Sequence, residues 1–297
     1  MRIVISGSSG LIGTALSTRL REAGHTVVPL VRRTPAEGEV LWDPLSGVLD
    51  PGSLSGADAV VHLAGAGIGD HRWTEAYKRE IRDSRVRATE LLTGAIVAAE
   101  RPPSVLLSGS AIGIYGPRGD EELDEQAEPG TSFLSRVCVD WEQAAGAAEQ
   151  EGVRVAFLRT GIVLTPLGGA LKKQLPLFRF GLGGTFGKGR QWQSWISLDD
   201  EVGAIEHLLT APVHGPVNLT APTPVTNVEF TATLARVLHR PSFLPIPSFG
   251  PKLLLGGELA DALLFTGQRV VPGVLERSGY RFRHATLDAA LRDLLGR

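Results

Sequence analysis

Hydrophobic positions along this chain follow two periods in turn: short unbroken apolar runs, and longer stretches with apolar residues three and four apart. Ile3, Val4 and Ile5 form the first run, which stops at Gly7, Gly10 and Gly13. Runs of this length without polar alternation predict buried strands. Thr14–Ala23 puts Leu16, Leu20 and Ala23 on one helical face, with Gly24 as its stop. His25–Val31 predicts a second strand, Glu39–Trp42 a short one and Ala57–Leu63 a buried one. Thr74–Glu100 predicts a long helix, Pro102–Ser110 a strand, Phe133–Gln150 a helix and Val153–Leu158 a strand. This alternation predicts an α/β fold, a doubly wound parallel sheet with covering helices.

After Arg159, Thr160 and Gly161 the alternation loosens. Leu167–Gly189 holds seven glycines, three lysines and three phenylalanines, which predicts a substrate lobe or lid. Gln191–Ser197 predicts an added strand, with Trp192 and Trp195 as pocket walls or core anchors. Asp199–Thr210 and Val228–Leu238 predict helices, Pro216–Leu219 a strand, and Leu253–Leu264 and Leu287–Leu294 further helices.

Chemistry enters at the glycines. A strand that ends in Gly7, Gly10 and Gly13 and feeds a helix lets backbone N–H groups approach a pyrophosphate, helped by the helix dipole. The spacing is G-x-x-G-x-x-G, so a tight strand-to-helix turn without a ligand is the other reading. About 20 residues past such a turn, an acidic side chain would accept hydrogen bonds from a ribose. Arg32 and Arg33 stand there instead. Guanidinium groups suit a 2′-phosphate, hence NADP, unless both arginines are merely solvated. Ala64, Gly65, Ala66 and Gly67 end another strand and serve either a cofactor's approach or a tight turn. The charges from Lys78 to Arg87 read as a solvated helix face.

Composition narrows the setting. The 297 residues allow one large domain or a nucleotide domain plus a smaller one. With 43% hydrophobic and 21% charged residues the chain suits an ordinary globular protein, and a net charge of -2 points to neither nucleic acid nor membrane. A single cysteine, Cys138, excludes an internal disulfide and predicts a cytoplasmic protein. That cysteine and seven scattered histidines show no metal-ligand spacing, so no metal is expected. The N-terminus reads as a core strand rather than a signal peptide, as expected of a complete cytosolic chain.

Taken together, Gly7/Gly10/Gly13, HLAGAG (62–67), SGSAIGIYG (108–116), LRTGIVL (158–164) and WISLDD (195–200) resemble the extended short-chain dehydrogenase/reductase superfamily. WDP (42–44), SRVRAT (84–89), VCVDWE (137–142) and the tail 267–291 resemble its atypical "epimerase family protein" branch, which has a C-terminal domain of unknown function. The resemblance spans nearly the whole chain. It implies a Rossmann domain over 1–165, with returns around 191–220, and a smaller C-terminal substrate lobe over most of 166–297. It further implies NADP contacts at Gly7, Ser9, Gly10, Leu11 and Ile12 for the phosphates, and at Arg32 and Arg33 for the 2′-phosphate. Leu63, Ala64 and Gly65 would line the adenine-to-ribose side, Ser108 and Gly109 would lie beneath the nicotinamide, and Thr160 and Gly161 beyond it. A homodimer through a helix pair is common in that superfamily.

One departure cuts across the match. The superfamily uses a Ser, a Tyr and a Lys four residues after the Tyr. Ser110 stands at the Ser position, but with Glu142 aligned on the helix's usual Glu, Leu134 replaces the Tyr and Cys138 the Lys. Neither side chain can perform that proton transfer. Tyr115, with Arg118 as a cation beside it, is a candidate substitute or a packing tyrosine. Lys188 and Arg190 are candidates for an anionic substrate or solvated loop charges. Cys138 reads as a nucleophile or a small buried hydrophobe, and His62 as a satisfied core histidine. Three functions stay open: an NADPH-dependent reductase or epimerase-like enzyme on a small polar substrate, a non-catalytic NADP-binding sensor or scaffold, and a hydrolase using Ser110. The last lacks a His/Asp partner pattern.

Overall fold

A computed structural model describes residues 1–242 and 245–297. The first half runs β1 (Arg2–Ser6), α1 (Leu11–Glu22), β2 (Thr26–Val31), β3 (Val40–Asp43), β4 (Val48–Leu49), β5 (Ala59–His62), α2 (Glu75–Val97), β6 (Val105–Ala111), β7 (Glu122–Leu123), α3 (Phe133–Ala145) and α4 (Ala147–Gln150). It continues through β8 (Arg154–Thr160), β9 (Ile162–Leu164), α5 (Gly169–Arg179), β10 (Trp192–Gln193), β11 (Trp195–Ser197), α6 (Leu198–Thr210), β12 (Gly215–Leu219), β13 (Val225–Thr226) and α7 (Asn227–Leu238). The chain closes with α8 (Phe249–Leu255), α9 (Gly257–Ala260), β14 (Arg269–Val270), α10 (Gly273–Arg277) and α11 (Leu287–Leu295).

Eight strands form the main sheet in the order β12-β8-β6-β5-β1-β2-β3-β4. All neighbours are parallel except the β3–β4 pair. The chain leaves β1 toward β2 and later returns to its other side at β5. The order therefore reverses at β1, and the carboxyl ends of β1 and β5 form the switch point at which such folds bind ligands. Period-two alternation divides the core. Ile3 and Ile5 join Leu16, Leu20, Ile205 and Leu208 under α1 and α6. Val4 faces the other way with Leu92, Ile96 and Val155 under α2. A third apolar cluster, with Leu171, Phe178, Trp195, Phe230, Leu234 and Leu291, makes the core of the C-terminal lobe.

Several elements differ from the sequence pattern. The first helix begins at Leu11 rather than Thr14, because Gly10 is its N-cap and Gly13 lies inside its first turn. The predicted strand over Gln191–Ser197 splits. β10 pairs antiparallel with β13 and β11 pairs parallel with β9, both outside the main sheet. The helix expected over Leu253–Leu264 breaks at Gly256, at φ 90°, into α8, α9 and a π-helical turn at Asp261–Phe265. No helix among the described residues is long and apolar enough to cross a membrane.

A buried carboxylate ties the tail to the sheet domain. Asp200, 1% exposed, lies in the first turn of α6. It accepts hydrogen bonds from the Arg283 and His284 backbone N–H groups at 2.7 and 2.9 Å, from Ser197 at 2.8 Å and from Tyr280 at 3.1 Å. Every lone pair has a partner, which is the condition for burying such a group. Removing it leaves two backbone donors orphaned. Asp200→Ala is expected to destabilise the protein by about 2–4 kcal/mol in denaturant unfolding. A midpoint equal to that of the wild type would refute this pin.

Candidate functional site

The glycine turn is built for close backbone approach. Gly7 sits at φ 70°, and a Cβ there would lie 2.8 Å from the Leu63 carbonyl. A Cβ on Gly13 would come within 2.1 Å of the Gly7 oxygen, so only glycine lets the helix start against the loop. Gly10 caps α1 without a side-chain hydrogen bond, leaving its first N–H groups without a side-chain acceptor. Ser9 and Gly10 are exposed, Ile12 packs on the core, and the Leu11 side chain lies under Gly168. Leu63 and Ala64 are therefore brought against the turn, and exposed Gly65 follows them.

At the end of β2 the two arginines differ. Arg33 donates to both Glu39 carboxylate oxygens, at 2.6 and 2.7 Å, and to the Thr34 carbonyl. Exposed Arg32 makes no side-chain hydrogen bond among the described residues. Its charge reaches Asp43, whose carboxyl is held below its ordinary value mainly by Ser46 and Leu45.

Along the same edge, β6 and β8 carry a buried polar network. Ser110 donates to Glu142 at 2.6 Å, and Arg159 grips that carboxylate through two bonds of 2.9 Å. Burial pulls the Arg159 guanidinium down, but the Glu142 bonds and charge outweigh it and raise the net value. Arg159 also donates to the Tyr115 hydroxyl at 2.9 Å, and Tyr115 donates to Asn218 at 2.7 Å. The cation beside Tyr115 is thus Arg159 and not Arg118, which bonds Glu121 and the Glu128 carbonyl. Tyr115 is 0% exposed, and burial pushes its phenol up to about 12 against the opposing Arg159 charge. Its hydroxyl is committed to the interior and has no surface to offer a substrate. Beneath Ser110, Ser108 is buried with no partner for its hydroxyl, and Gly109 lies where a Cβ would meet the Trp141 ring at 2.7 Å.

The remaining sequence candidates separate cleanly. Cys138 is buried, and burial pushes its thiol up to about 12, so it is not an activated nucleophile. His62 is fully buried and desolvation lowers it to about 4. Thr89 spends its proton on the Arg85 carbonyl, so His62 Nε2–H donates to Thr89, and Nδ1 accepts from Ser6 at 2.6 Å. Trp195 is core, while half-buried Trp192 bonds Asp120 under Arg269. Lys188 and Arg190 are exposed. Asp199, His284 and Asp293 come together, but Arg283 pairs with both aspartates and His284 bonds Asp293 and Ser197. That cluster is a neutralised ion-pair group, which sequence spacing did not reveal.

Residues 3–220 match the NAD dependent epimerase/dehydratase family, and residues 246–294 match a domain of unknown function, DUF1731. The chain belongs to this epimerase/dehydratase family. An epimerase family protein of Mycobacterium tuberculosis is 48% identical over 97% of this chain and 96% of its own length. The human epimerase family protein SDR39U1 is 38% identical over 99% of this chain and 100% of its own. A crystal structure of the human protein with NADPH superposes with a TM-score of 0.93 at 36% identity, covering 100% of this chain and 99% of that one. A nucleoside-diphosphate sugar epimerase from Corynebacterium glutamicum gives 0.81 at 37% identity, with this chain spanning 58% of it.

Within this epimerase/dehydratase fold, the family-matched motifs conceal residues that the sequence pattern passed over. Thr160, expected beyond the nicotinamide, gives its hydroxyl to Glu201 at 2.8 Å, while Gly161 is wedged where a Cβ would meet the Ser194 carbonyl at 2.6 Å. Glu201 is 0% exposed, its second oxygen has no partner, and burial raises it to about 8. An acid among apolar helix positions is the local signal for such a group. The native carboxyl holds its proton more tightly than the unfolded one. Its contribution is therefore fully present below about pH 4.5 and is lost as pH rises toward about 8. Glu201→Gln should match the wild type below about pH 4.5 and gain about 4–5 kcal/mol over it above pH 8, read from thermal unfolding. A difference independent of pH would contradict the buried neutral acid.

Proposed function

We propose that this chain is an NADP(H)-dependent reductase or epimerase-like enzyme acting on a small polar carbonyl compound, with Ser110, oriented by Glu142, hydrogen-bonding the reacting oxygen. The observation that supports it most is the glycine turn. Gly7 and Gly13 let β1, the Leu63–Ala64 segment and the start of α1 pack closely, and a helix start with no side-chain cap at that junction fits a pyrophosphate. In this reading Gly7, Ser9, Gly10, Leu11 and Ile12 hold the phosphates. Arg32 takes the 2′-phosphate, with Arg33 able to join once it exchanges Glu39, an exposed pair that a phosphate displaces readily. Leu63, Ala64 and Gly65 line the next stretch, Ser108 and Gly109 form the floor under the nicotinamide, and Thr160 and Gly161 close the far side. The relative in complex with NADPH supports NADP over NAD.

When bound, NADPH supplies a hydride to a carbonyl carbon. The chain supplies the rest. Ser110 turns its hydroxyl from Glu142 to hydrogen-bond the developing alkoxide, which takes its proton from solvent water, and Arg159 fixes the carboxylate that orients Ser110. This pair holds the oxygen in place of the missing Tyr and Lys, and Tyr115 serves as its support. A cavity of about 180 Å³ borders Leu134, with Trp73, Pro117, Asp261, Thr266 and Gln268 around it. It joins the sheet domain to the C-terminal lobe and has room only for a small substrate. A homodimer in the cytoplasm completes the reading.

The absence of a phenol and an amine at Leu134 and Cys138 favours a second reading, a sensor that binds NADPH without turnover. NADPH oxidation over a panel of small aldehydes and ketones separates the two. The enzyme reading expects slow turnover that falls about 100-fold or more in Ser110→Ala and in Glu142→Gln, with NADPH affinity within twofold of the wild type. Intact NADPH binding with no oxidation of it by any compound would leave the sensor.

A further inference from the structure

The cavity beside Leu134 holds an idle side chain on a fixed backbone. Gln268 lines it from the C-terminal lobe. The buried Ser194 hydroxyl donates to the Gln268 carbonyl and accepts the Val270 N–H, both at 2.8 Å. Gly267, one residue earlier, lies so close to the Trp192 carbonyl that no Cβ would fit. On the other side Arg269 pairs with Glu122 at 3.0 Å and lies over the Trp192 ring. The main chain is therefore held before and after Gln268. Its half-buried carboxamide has no hydrogen-bond partner among the described residues. That amide offers two N–H donors and a carbonyl acceptor to whatever enters the cavity.

The neighbouring wall says which groups they would meet. The turn Asp261–Phe265 is π-helical, closed by the Thr266 N–H on the Asp261 carbonyl at 3.0 Å, a form that recurs at functional sites. Asp261 and, from α9, Glu258 line the cavity there. Each carboxylate spends one oxygen on a lysine, Glu258 on Lys78 at 2.5 Å and Asp261 on Lys252 at 2.8 Å. Among the described residues nothing donates to the second oxygen of either. Neither lysine lines the cavity, and no arginine does. The wall is thus balanced in charge and rich in acceptors, with no cation facing inward to receive a phosphate. An anion would meet two carboxylates instead. At about 180 Å³ the space is also below the roughly 300–1,000 Å³ that drug-sized ligands fill, so a nucleotide does not fit. Hydroxyl groups, which donate and accept, suit a free amide between carboxylate oxygens.

We propose that Gln268 selects the substrate, and that the substrate is an uncharged polyhydroxy aldehyde or ketone rather than a phosphorylated or nucleotide-bearing one. The inference deepens the enzyme reading above and rests on it. Glyceraldehyde, its 3-phosphate and propanal serve as probes of NADPH oxidation by the full chain. The kcat/KM for glyceraldehyde should exceed that for either of the others by about tenfold or more. Gln268→Leu should lower it about 10- to 100-fold, chiefly through KM, and leave propanal within twofold. Gln268→Asn should recover part of the loss, and thermal unfolding of both variants should match the wild type. Erythritol, a polyol with no carbonyl to reduce, tests binding apart from turnover. It should alter tryptophan emission through Trp73, which lines the same cavity, and bind Gln268→Leu about tenfold more weakly. A preference for the phosphate, or a Gln268→Leu variant that loses nothing or loses equally on glyceraldehyde and propanal, overturns this inference and leaves the enzyme reading standing. Erythritol binding that depends on Gln268, with no NADPH oxidation by any probe, overturns the enzyme reading and keeps the polyol site. Absence of both overturns the two together.

Discussion

The bidentate ion pair between Arg159 and Glu142 is the contact on which the buried polar network at the ends of β6 and β8 depends. It joins β8 to α3 across the end of β6, with side chains only 8% and 12% exposed. Ser110 is aimed by the same carboxylate, and Tyr115 and the Glu125 backbone are reached by the same guanidinium. Such a pair adds little net stability over an apolar substitute, yet losing one partner costs about 3–5 kcal/mol because the other charge stays buried. Its value lies in geometry. A serine hydroxyl held by a fixed carboxylate is oriented before any substrate arrives, and in an enzyme that order is what lowers the barrier.

The C-terminal segment is fastened around this network rather than appended to it. Glu125 accepts the Asn218 and Val274 backbone N–H groups at 3.1 and 3.0 Å, linking β12 to α10. Asn218, which receives the Tyr115 proton, donates to the Val271 carbonyl at 3.0 Å. Ser194 bridges the Gln268 carbonyl and the Val270 N–H, both at 2.8 Å. With Asp200 holding Arg283 and His284, the tail is pinned at several points to strands that carry the site. The cavity beside Leu134 is walled by both parts, so its shape follows from these polar links.

What the sequence revealed was local. Apolar runs and glycine spacing announced the sheet, its parallel order and the turn after β1, because period and backbone freedom are written residue by residue. The site's polar partners were not legible in this way, since Ser110, Glu142, Arg159 and Asn218 meet only through the order of the strands. Arg159 did carry a signal, a charge in β8 directly after the apolar run Val155–Leu158, which demands a buried partner. Tyr115 read as a substitute proton donor or a packing tyrosine, because nothing local says that tertiary packing buries it completely.

The central claim is a dinucleotide site that prefers NADP(H), and a comparison of NADPH and NADH affinities tests it most directly. The measurement is a pair of equilibrium titrations on the wild type and on a variant with Arg32 and Arg33 both changed to Ala. A charged contact to a 2′-phosphate predicts NADPH tighter than NADH by about tenfold or more in the wild type. The variant should bring the two together by weakening NADPH while NADH stays within twofold. Equal or absent binding of both nucleotides by the wild type, or an NADPH preference that survives in the variant, would contradict the account.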